Sequence, residues 1–290
     1  MTAKRTFKKI IGLALAGASV AASLTMFSAC TTNHPEVEIK ISFNDVSYTL
    51  EYKLYRKLAP STVQHFLELA EKGYYDGLCV HNYVADSKMY TGAYSYDPNK
   101  TSEGGLVEKA YYDVVRDWHL TQTVWRDEEV SLPLYSVYGE FSDNGFEVEN
   151  GELRQTYGSL TMYYTPKKNT PYVYVKRADG KGYDPKKYEY NSATSQFFIS
   201  LASGSSSNSA YCTFGTLKDD SVEVLDDLKD AISTYIEDEY EGETSDFAPE
   251  TTLIVDEDDP IESVSSAKES QTYSVPKEPI VITSVKVLRY

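Results

Sequence analysis

Histidine, cysteine and clustered acidic residues are the side chains of this 290-residue chain that could bind a metal ion. A zinc site needs cysteine and histidine at short, regular spacings, which the three cysteines and four histidines do not show. Calcium binds carboxylates, but the acidic run at residues 256–259 lacks the regular spacing of a calcium loop, so we interpret it as a solvated charge run. Phosphate-binding and dinucleotide-binding glycine motifs are also absent from the sequence. The sequence therefore predicts neither a metal nor a cofactor.

Cys30 carries a different chemistry. It follows a Ser-Ala pair, an apolar run at residues 10–27 and a basic N-terminus. This order resembles the lipobox of bacterial lipoproteins, in which the thiol takes a lipid before cleavage. We expect a signal peptide at residues 1–29, a lipidated tether at 30–35, and a body lipid-anchored to the bacterial cell membrane. An ordinary signal peptide or an uncleaved transmembrane anchor is the alternative, and all three place the body outside the cytoplasm.

The charge of the chain excludes some partners. Formal net charge is −16, and removing a leader with four cations and no acid would lower it to −20. Such a body repels nucleic acid and anionic headgroups, so we expect no nucleic-acid partner and a soluble monomer. Cys79 and Cys212 could pair in an oxidising compartment, but both lie in apolar runs, where a cysteine typically behaves as a small buried hydrophobe.

Apolar patterning predicts a mainly β body over residues 36–290. Alternating apolar residues predict strands at 36–43 and 48–55, joined by a turn at Asn44-Asp45. Further strands are predicted at 77–84, 158–164, 196–202, 211–217 and 280–288, and helices at 60–73 and 222–236. Many short strands with two helices indicate a closed antiparallel barrel capped by helices.

Three stretches are interpreted as insertions into this body. Residues 97–134 are polar and aromatic without a clear partner, and residues 165–190 are rich in Lys, Tyr, Gly and Pro. Residues 237–277 are acidic and Ser/Thr-rich, a composition typical of partial disorder.

The string NSATSQFFISL at residues 191–201 resembles the central signature of the cyclophilin-type peptidyl-prolyl cis-trans isomerases. Other segments resemble the family in the same order: LAPSTVQHFLELAEKGYYDG (58–77), YGEFSDNGF (138–146), GSLTM (158–162), TFGTL (213–217) and PIVITSVKVL (279–288). The resemblance implies a closed eight-stranded antiparallel barrel with a helix at each end. It also implies isomerisation of X-Pro bonds without a cofactor, nucleophile or metal.

Residue by residue, the resemblance implies a site that is only partly present. Gln196 matches the glutamine that holds the substrate, and Phe198 matches the floor of the proline pocket, although either could be structural. Asn82 stands where the family has its catalytic arginine. The other implied substrate-binding positions are Met162, Tyr163, Tyr164, Tyr211, Lys88 and Tyr90. His81, next to Asn82, is interpreted as a core histidine.

Three functional hypotheses follow. The first is a membrane-anchored isomerase of weak activity that assists the folding of exported proteins and binds X-Pro peptides. The second is a catalytically silent module that binds peptide or protein through its tyrosine-rich groove. The third is a structural surface protein in which the acidic stretch at 237–277 is the working part.

Overall fold

The computed structural model describes residues 32–100, 104–141, 144, 146, 153–163, 172–177, 179–187, 194–206, 211–254 and 270–290. The signal peptide, Cys30, Tyr164 and the acidic run at 256–259 lie outside the described residues, so the predictions made for them stay predictions.

Fifteen strands occur in the described part of the chain. They are β1 (Glu36–Phe43), β2 (Val46–Leu54), β3 (Leu78–Cys79), β4 (Asn82–Val84), β5 (Lys88–Thr91), β6 (Tyr94–Tyr96), β7 (Leu106–Glu108), β8 (Leu160–Met162), β9 (Tyr172–Lys176), β10 (Tyr183–Lys187), β11 (Phe197–Ser200), β12 (Cys212–Leu217), β13 (Glu250–Ile254), β14 (Ser270–Ser274) and β15 (Val281–Arg289). The α-helices are α1 (Pro60–Glu71), α2 (Tyr111–Val115), α3 (Val222–Tyr240) and α4 (Thr244–Phe247).

Eleven of these strands form one curled antiparallel sheet in the order β4-β5-β11-β8-β12-β2-β1-β15-β3-β6-β7. The first hairpin, β1–β2, forms where the alternation predicts it. Asn44 and Asp45 both have positive φ, 46° and 61°, the backbone that a two-residue hairpin turn requires. Every second residue of β1 is buried in the core, which fixes the register of the hairpin.

The mainly β prediction is confirmed, and the strand count differs from eight for a local reason. One chain run is divided into β3 and β4 by Val80-His81, and a second into β5 and β6 by Gly92-Ala93. β3 pairs with β15 and β6, whereas β4 pairs with β5. These pairings do not establish a closed ring of eight strands, so the closed barrel stays a prediction.

The helices cover the sheet with their apolar faces. α1 packs against β12 and β15, and its buried face includes Val63, Phe66 and Leu67 at helical spacing. α3 packs against β2, and it runs four residues beyond the predicted end at residue 236. The described helices thus include two long ones, as predicted, and two short ones that the pattern did not indicate.

The two stretches predicted to be insertions, 97–134 and 165–190, pack on each other in their described parts. Trp125 of the first forms isolated bridges with Pro133 and with Tyr174 on β9 of the second. A small core of buried residues joins them: Val124, Leu134, Tyr138 and Val173. Each stretch therefore supplies apolar residues against which the other packs.

The acidic stretch at 237–277 contains regular structure in its described parts. The end of α3, α4 and the hairpin β13–β14 all fall within it. Leu253, Tyr273 and Val275 from this stretch are buried against Cys79, Tyr94 and Leu106 of the main sheet. Its apolar residues are few, but they are spaced so that one face of a hairpin can be buried.

Candidate functional site

Strand alternation on β11 separates two aromatic neighbours. Phe197 and Ile199 point into the main core, whereas Phe198 lies on the opposite face of the sheet. Phe198 pairs with Tyr90 on β5 and Thr161 on β8. The ladder extends one residue before β11, where the backbone N–H of Tyr163 donates to the carbonyl of Gln196 at 2.9 Å. Because side chains alternate, Gln196 and Phe198 share the outer face.

A glycine fixes the backbone at Gln196. Gly92 has a φ of 99°, and a Cβ at this position would lie 2.3 Å from the carbonyl oxygen of Ser195 and 2.9 Å from the Cα of Gln196. The Ser195 hydroxyl donates to the Gly92 carbonyl at 2.7 Å. The chain before β11 is therefore held against the end of β5, and only glycine permits this approach.

Two tyrosines contact Phe198, and a third packs on one of them. The Tyr90 ring lies 5.1 Å from the Phe198 ring, and the Tyr211 ring meets it edge-on at 5.6 Å and 89°. Tyr163 meets Tyr90 at 5.3 Å. These are favourable aromatic geometries, and together with Lys88 they leave Phe198 with 0% exposure. The floor of the implied proline pocket is therefore covered in this structure.

Lys88 is the cation of this site. Its Nζ lies 4.4 Å from the ring centre of Phe198, 5.1 Å from Tyr211 and 6.0 Å from Tyr90. An ammonium over ring faces is held by cation–π attraction. Burial lowers the pKa of Lys88, because the site removes water that would solvate the charge.

The tyrosine hydroxyls of the site stay protonated. Burial raises the pKa of Tyr90, Tyr163 and Tyr211, and for Tyr90 and Tyr163 the neighbouring tyrosines add to the effect. Each hydroxyl can therefore donate and accept hydrogen bonds at neutral pH. The surface thus offers aromatic faces, neutral hydroxyls and one cation.

Gln196 contributes an acceptor that is not used within the described part of the protein. The residue is half-buried, and its Oε1 is buried without a hydrogen-bond partner. A buried unpaired acceptor costs free energy, so such groups usually meet a ligand, a water or another polar atom. A peptide N–H arriving at this surface would satisfy it.

Asn82 has a structural partner. Its Oδ1 accepts a hydrogen bond of 3.0 Å from the backbone N–H of Ser274 on β14. The residue at the position implied for the catalytic arginine therefore anchors the hairpin β13–β14 to β4. Asn82 also pairs with Tyr90 across β4 and β5, so it lies next to the site. Its side-chain Oδ1, however, is already hydrogen-bonded to Ser274.

Met162 does not join this surface. It is buried in the main core, with 1% exposure, and pairs with Phe197 and Cys212. The neighbouring Thr161 pairs with Phe198 instead, and its hydroxyl hydrogen-bonds that of Thr213 at 2.9 Å. Counting alternation along GSLTM from the partner strand would have indicated Thr161 and Tyr163, so the signal was present in the sequence.

Three titratable residues near the site are buried: His81, Cys79 and Cys212. His81 is fully buried between Tyr94 and Tyr273, with both ring nitrogens unpaired, and burial lowers its pKa to about 3. The prediction of a core histidine is confirmed. Cys79 and Cys212 are free and buried, as favoured over a disulfide. Among the described residues, no cluster of three His, Cys, Asp or Glu could hold a metal ion.

The profile of the family described as cyclophilin type peptidyl-prolyl cis-trans isomerase/CLD matches residues 38–246, which is more than half of the chain. The chain belongs to the cyclophilin family. This match covers every residue of the site above, from Asn82 to Tyr211.

Curated relatives agree with the family. This cyclophilin is 30% identical over 118 residues to a Staphylococcus haemolyticus protein whose name assigns it as a peptidyl-prolyl cis-trans isomerase, covering 38% of this chain and 51% of that protein. A Staphylococcus aureus protein of the same name is 31% identical over 105 residues, covering 36% and 45%. The chain thus spans about half the length of these relatives.

Solved cyclophilins give a more distant comparison. A Cryptosporidium parvum cyclophilin type isomerase is 17% identical, with a TM-score of 0.42, covering 89% of this chain and 99% of the other. The same protein in the presence of the dipeptide Ala-Pro gives a TM-score of 0.40. In the described part of this cyclophilin, no helix is both long and apolar enough to cross a membrane.

Proposed function

We propose that this cyclophilin is a peptidyl-prolyl cis-trans isomerase of weak activity that assists the folding of exported proteins. The observation that carries the proposal is the shared outer face of Gln196 and Phe198, closed in by Tyr90, Tyr163 and Tyr211. Family membership supplies the reaction, and this face supplies a place where a proline ring and its neighbouring peptide groups can bind.

The reaction requires preferential binding of a twisted amide. Rotation about the X-Pro bond has a barrier of about 18–20 kcal/mol, because amide resonance is lost midway. Only contacts that strengthen in the twisted state lower this barrier. In the proposed complex, Phe198 receives the proline ring, Gln196 hydrogen-bonds the neighbouring peptide group, and Lys88 supplies a positive field from β5.

The proposed activity is weak because of Asn82. An arginine would present a charged, forked donor to the prolyl nitrogen, whereas the asparagine amide is neutral and short. Its Oδ1 is also engaged with Ser274. Loss of one preorganised donor typically costs about 10²–10³ in rate. Lys88 offsets only part of this loss, since it is a point charge on a flexible stem.

A silent binding module is the second candidate, and one observation favours it. Phe198 is fully covered by Tyr90, Tyr211 and Lys88. A ligand must move at least one of these side chains before its proline can contact the ring. If that rearrangement is unfavourable, tyrosine-rich surface around the pocket would bind peptide without turnover.

The proposal also includes the closed ring of eight chain runs that the family resemblance implies. It is supported by the run at residues 78–84, which pairs with β15 at Cys79 and with β5 at Asn82. This single run can join the two sides of the curled sheet.

We place the protein outside the cytoplasm, on a lipid attached to Cys30, and this part rests on the leader sequence. Thr32, two residues later, donates its backbone N–H to the carbonyl of Tyr290 at 2.8 Å. Two residues of extended chain span about 7 Å, so a lipid on Cys30 would hold the body within about that distance of the membrane surface. Mass spectrometry of the membrane fraction tests this directly; an unmodified, soluble chain would refute it.

Replacing Gln196 by alanine tests the isomerase proposal. The measurement is cis–trans exchange of a short Ala-Ala-Pro-Phe peptide by NMR, with the full chain in detergent solution. We expect the wild type to accelerate exchange and Gln196→Ala to lose roughly tenfold of that acceleration, because the substrate-holding amide is gone. Stability should not fall, since Oε1 has no partner in the described structure.

Gln64→Ala on α1 is the matched control, because the Gln64 amide donates to Glu68 on its own helix and has no other hydrogen-bond partner among the described residues. It should exchange the peptide at the wild-type rate. Peptide binding without acceleration would favour the silent module, and a wild type that neither binds nor accelerates would refute the proposal.

A further inference from the structure

In the described part of the chain, Lys88 is a cation without a carboxylate partner, although the protein has far more acids than bases. The chain has 44 acidic and 28 basic residues, so carboxylates are plentiful. Lys218, Lys229 and Lys286 each have a carboxylate within 3.8 Å. Among the described residues none lies within ion-pair distance of Lys88, whose partners are the three rings at 4.4–6.0 Å.

The position of Lys88 ties it to ligand entry. Lys88 and Phe198 lie on adjacent paired strands, and the ammonium sits directly over the Phe198 ring at 4.4 Å. A proline ring packed on Phe198 needs the same space. Entry therefore displaces the ammonium, which loses the aromatic contacts that hold it in the resting state.

The displaced ammonium needs a replacement partner. A neutral peptide offers only backbone carbonyls and water, whereas a peptide with a carboxylate beside the proline offers a charged acceptor at the same place. Hydrogen bonds between ions are about twice as strong as those between neutral groups. The binding equilibrium therefore differs between acidic and neutral peptides by the strength of that new ion pair.

We propose that Lys88 is a specificity-determining residue that selects X-Pro peptides with an acidic residue next to the proline. This rests on the proposed function, because it concerns the substrate of the same site. Net charge is −16, so without Lys88 an acidic peptide is repelled, and a preference for it must come from a local cation.

The test compares four acetylated and amidated peptides: Ala-Glu-Pro-Phe, Ala-Gln-Pro-Phe, Ala-Phe-Pro-Glu and Ala-Phe-Pro-Gln. Peptide-observed NMR titration with the full chain in detergent gives dissociation constants, and exchange between cis and trans resonances gives turnover in the same samples. We expect at least one glutamate peptide to bind about fivefold more tightly than its glutamine counterpart at low salt. The difference should shrink at 0.5 M salt.

Two variants of Lys88 complete the test. Lys88→Gln should reverse the preference, so that the glutamine peptides bind more tightly, and Lys88→Arg should keep it. Lys53→Gln is the matched control, because Lys53 also lies over a ring, that of Tyr55 at 5.0 Å, but outside the site. It should leave the preference unchanged.

The outcomes separate this inference from the proposed function. Equal binding of acidic and neutral peptides by the wild type, or a preference that survives in Lys88→Gln, overturns the role of Lys88 and leaves the isomerase proposal standing if exchange is accelerated. Absence of binding to all four peptides overturns both.

Discussion

At the scale of single residues, Asn82 has a structural contact at the position where the family resemblance implies a catalytic arginine. The side-chain oxygen Oδ1 of Asn82 accepts a hydrogen bond from the backbone N–H of Ser274. This hydrogen bond joins the hairpin β13–β14 to β4.

Replacing Asn82 by arginine or alanine is predicted to weaken the hairpin. Either change leaves the N–H of Ser274 without its acceptor, which costs about 1 kcal/mol for a half-buried group. Arginine would therefore be an imperfect rescue of catalysis. The measurement is urea unfolding with limited proteolysis of the β13–β14 region. Asn82→Asp retains an acceptor and is the control; an alanine variant as stable and as protease-resistant as the wild type would contradict the assignment.

Three residues of the predicted site differ in how well the sequence predicts their position: Gln196, Phe198 and Met162. The signature around Gln196 and Phe198 was sufficient to place both on one face, because alternation follows from the strand itself. Met162 was assigned to the site by family position, yet the pairing of β8 with β11 directs it to the core. The cover over Phe198 could not be foreseen, since it depends on Lys88 and Tyr211 meeting from different strands.

At the scale of elements, α1 depends on a residue far away in sequence. The helix has no side-chain cap of its own, and the Glu140 carboxylate accepts from the N–H groups of Ser61 at 3.0 Å and Thr62 at 2.8 Å. An acid at a helix N-terminus satisfies free donors and opposes the positive end of the helix dipole. Burial raises the pKa of Glu140, and these hydrogen bonds act against that rise.

Glu140→Ala is predicted to destabilise the protein by about 2 kcal/mol, because the buried N–H of Thr62 and the half-buried N–H of Ser61 lose their acceptor. Glu140→Gln keeps one oxygen and should lose about half as much. Thermal unfolding measures both. Glu129→Ala, an exposed acid in the same part of the chain, serves as the control. Equal unfolding midpoints for Glu140→Ala and the wild type would show that the cap contributes nothing.

The stretches predicted to be insertions contain several elements that the sequence did not indicate. Of the main sheet, β5, β6 and β7 were not predicted. The two long helices and the other runs of the main sheet carry apolar patterns and were predicted near their true bounds: β1, β2, the run at 78–84, β8, β11, β12 and β15. The hairpin β9–β10 and the strand-like segment at Trp125 were not, because neither can bury its apolar face alone. The same holds for β13–β14, whose Tyr273 finds its contacts on Tyr94 and His81. Long-range packing, absent from local sequence, decides these elements.

At the scale of the whole molecule, two buried histidines couple folding to pH. His65 and His81 are both fully buried, and burial lowers their pKa to about 4 and about 3. In the unfolded chain both have a pKa near 6.5. Their contribution to stability is therefore complete above about pH 6.5. It is lost as pH falls, because the unfolded state takes up protons that the folded state excludes.

Removing one of these histidines should flatten the pH dependence. A group shifted in this way contributes about 1.4 kcal/mol per pH unit below its unfolded pKa. We therefore expect the loss of stability between pH 7.5 and pH 5 to be roughly 2 kcal/mol smaller in His81→Phe than in the wild type. Urea unfolding of the full chain in detergent at both pH values measures it, with His119→Gln at an exposed position as the control. The comparison uses differences between variants because the many carboxylates of this acidic chain titrate in both. A His81→Phe variant with the wild-type loss would show that this buried imidazole is not neutral in the folded protein.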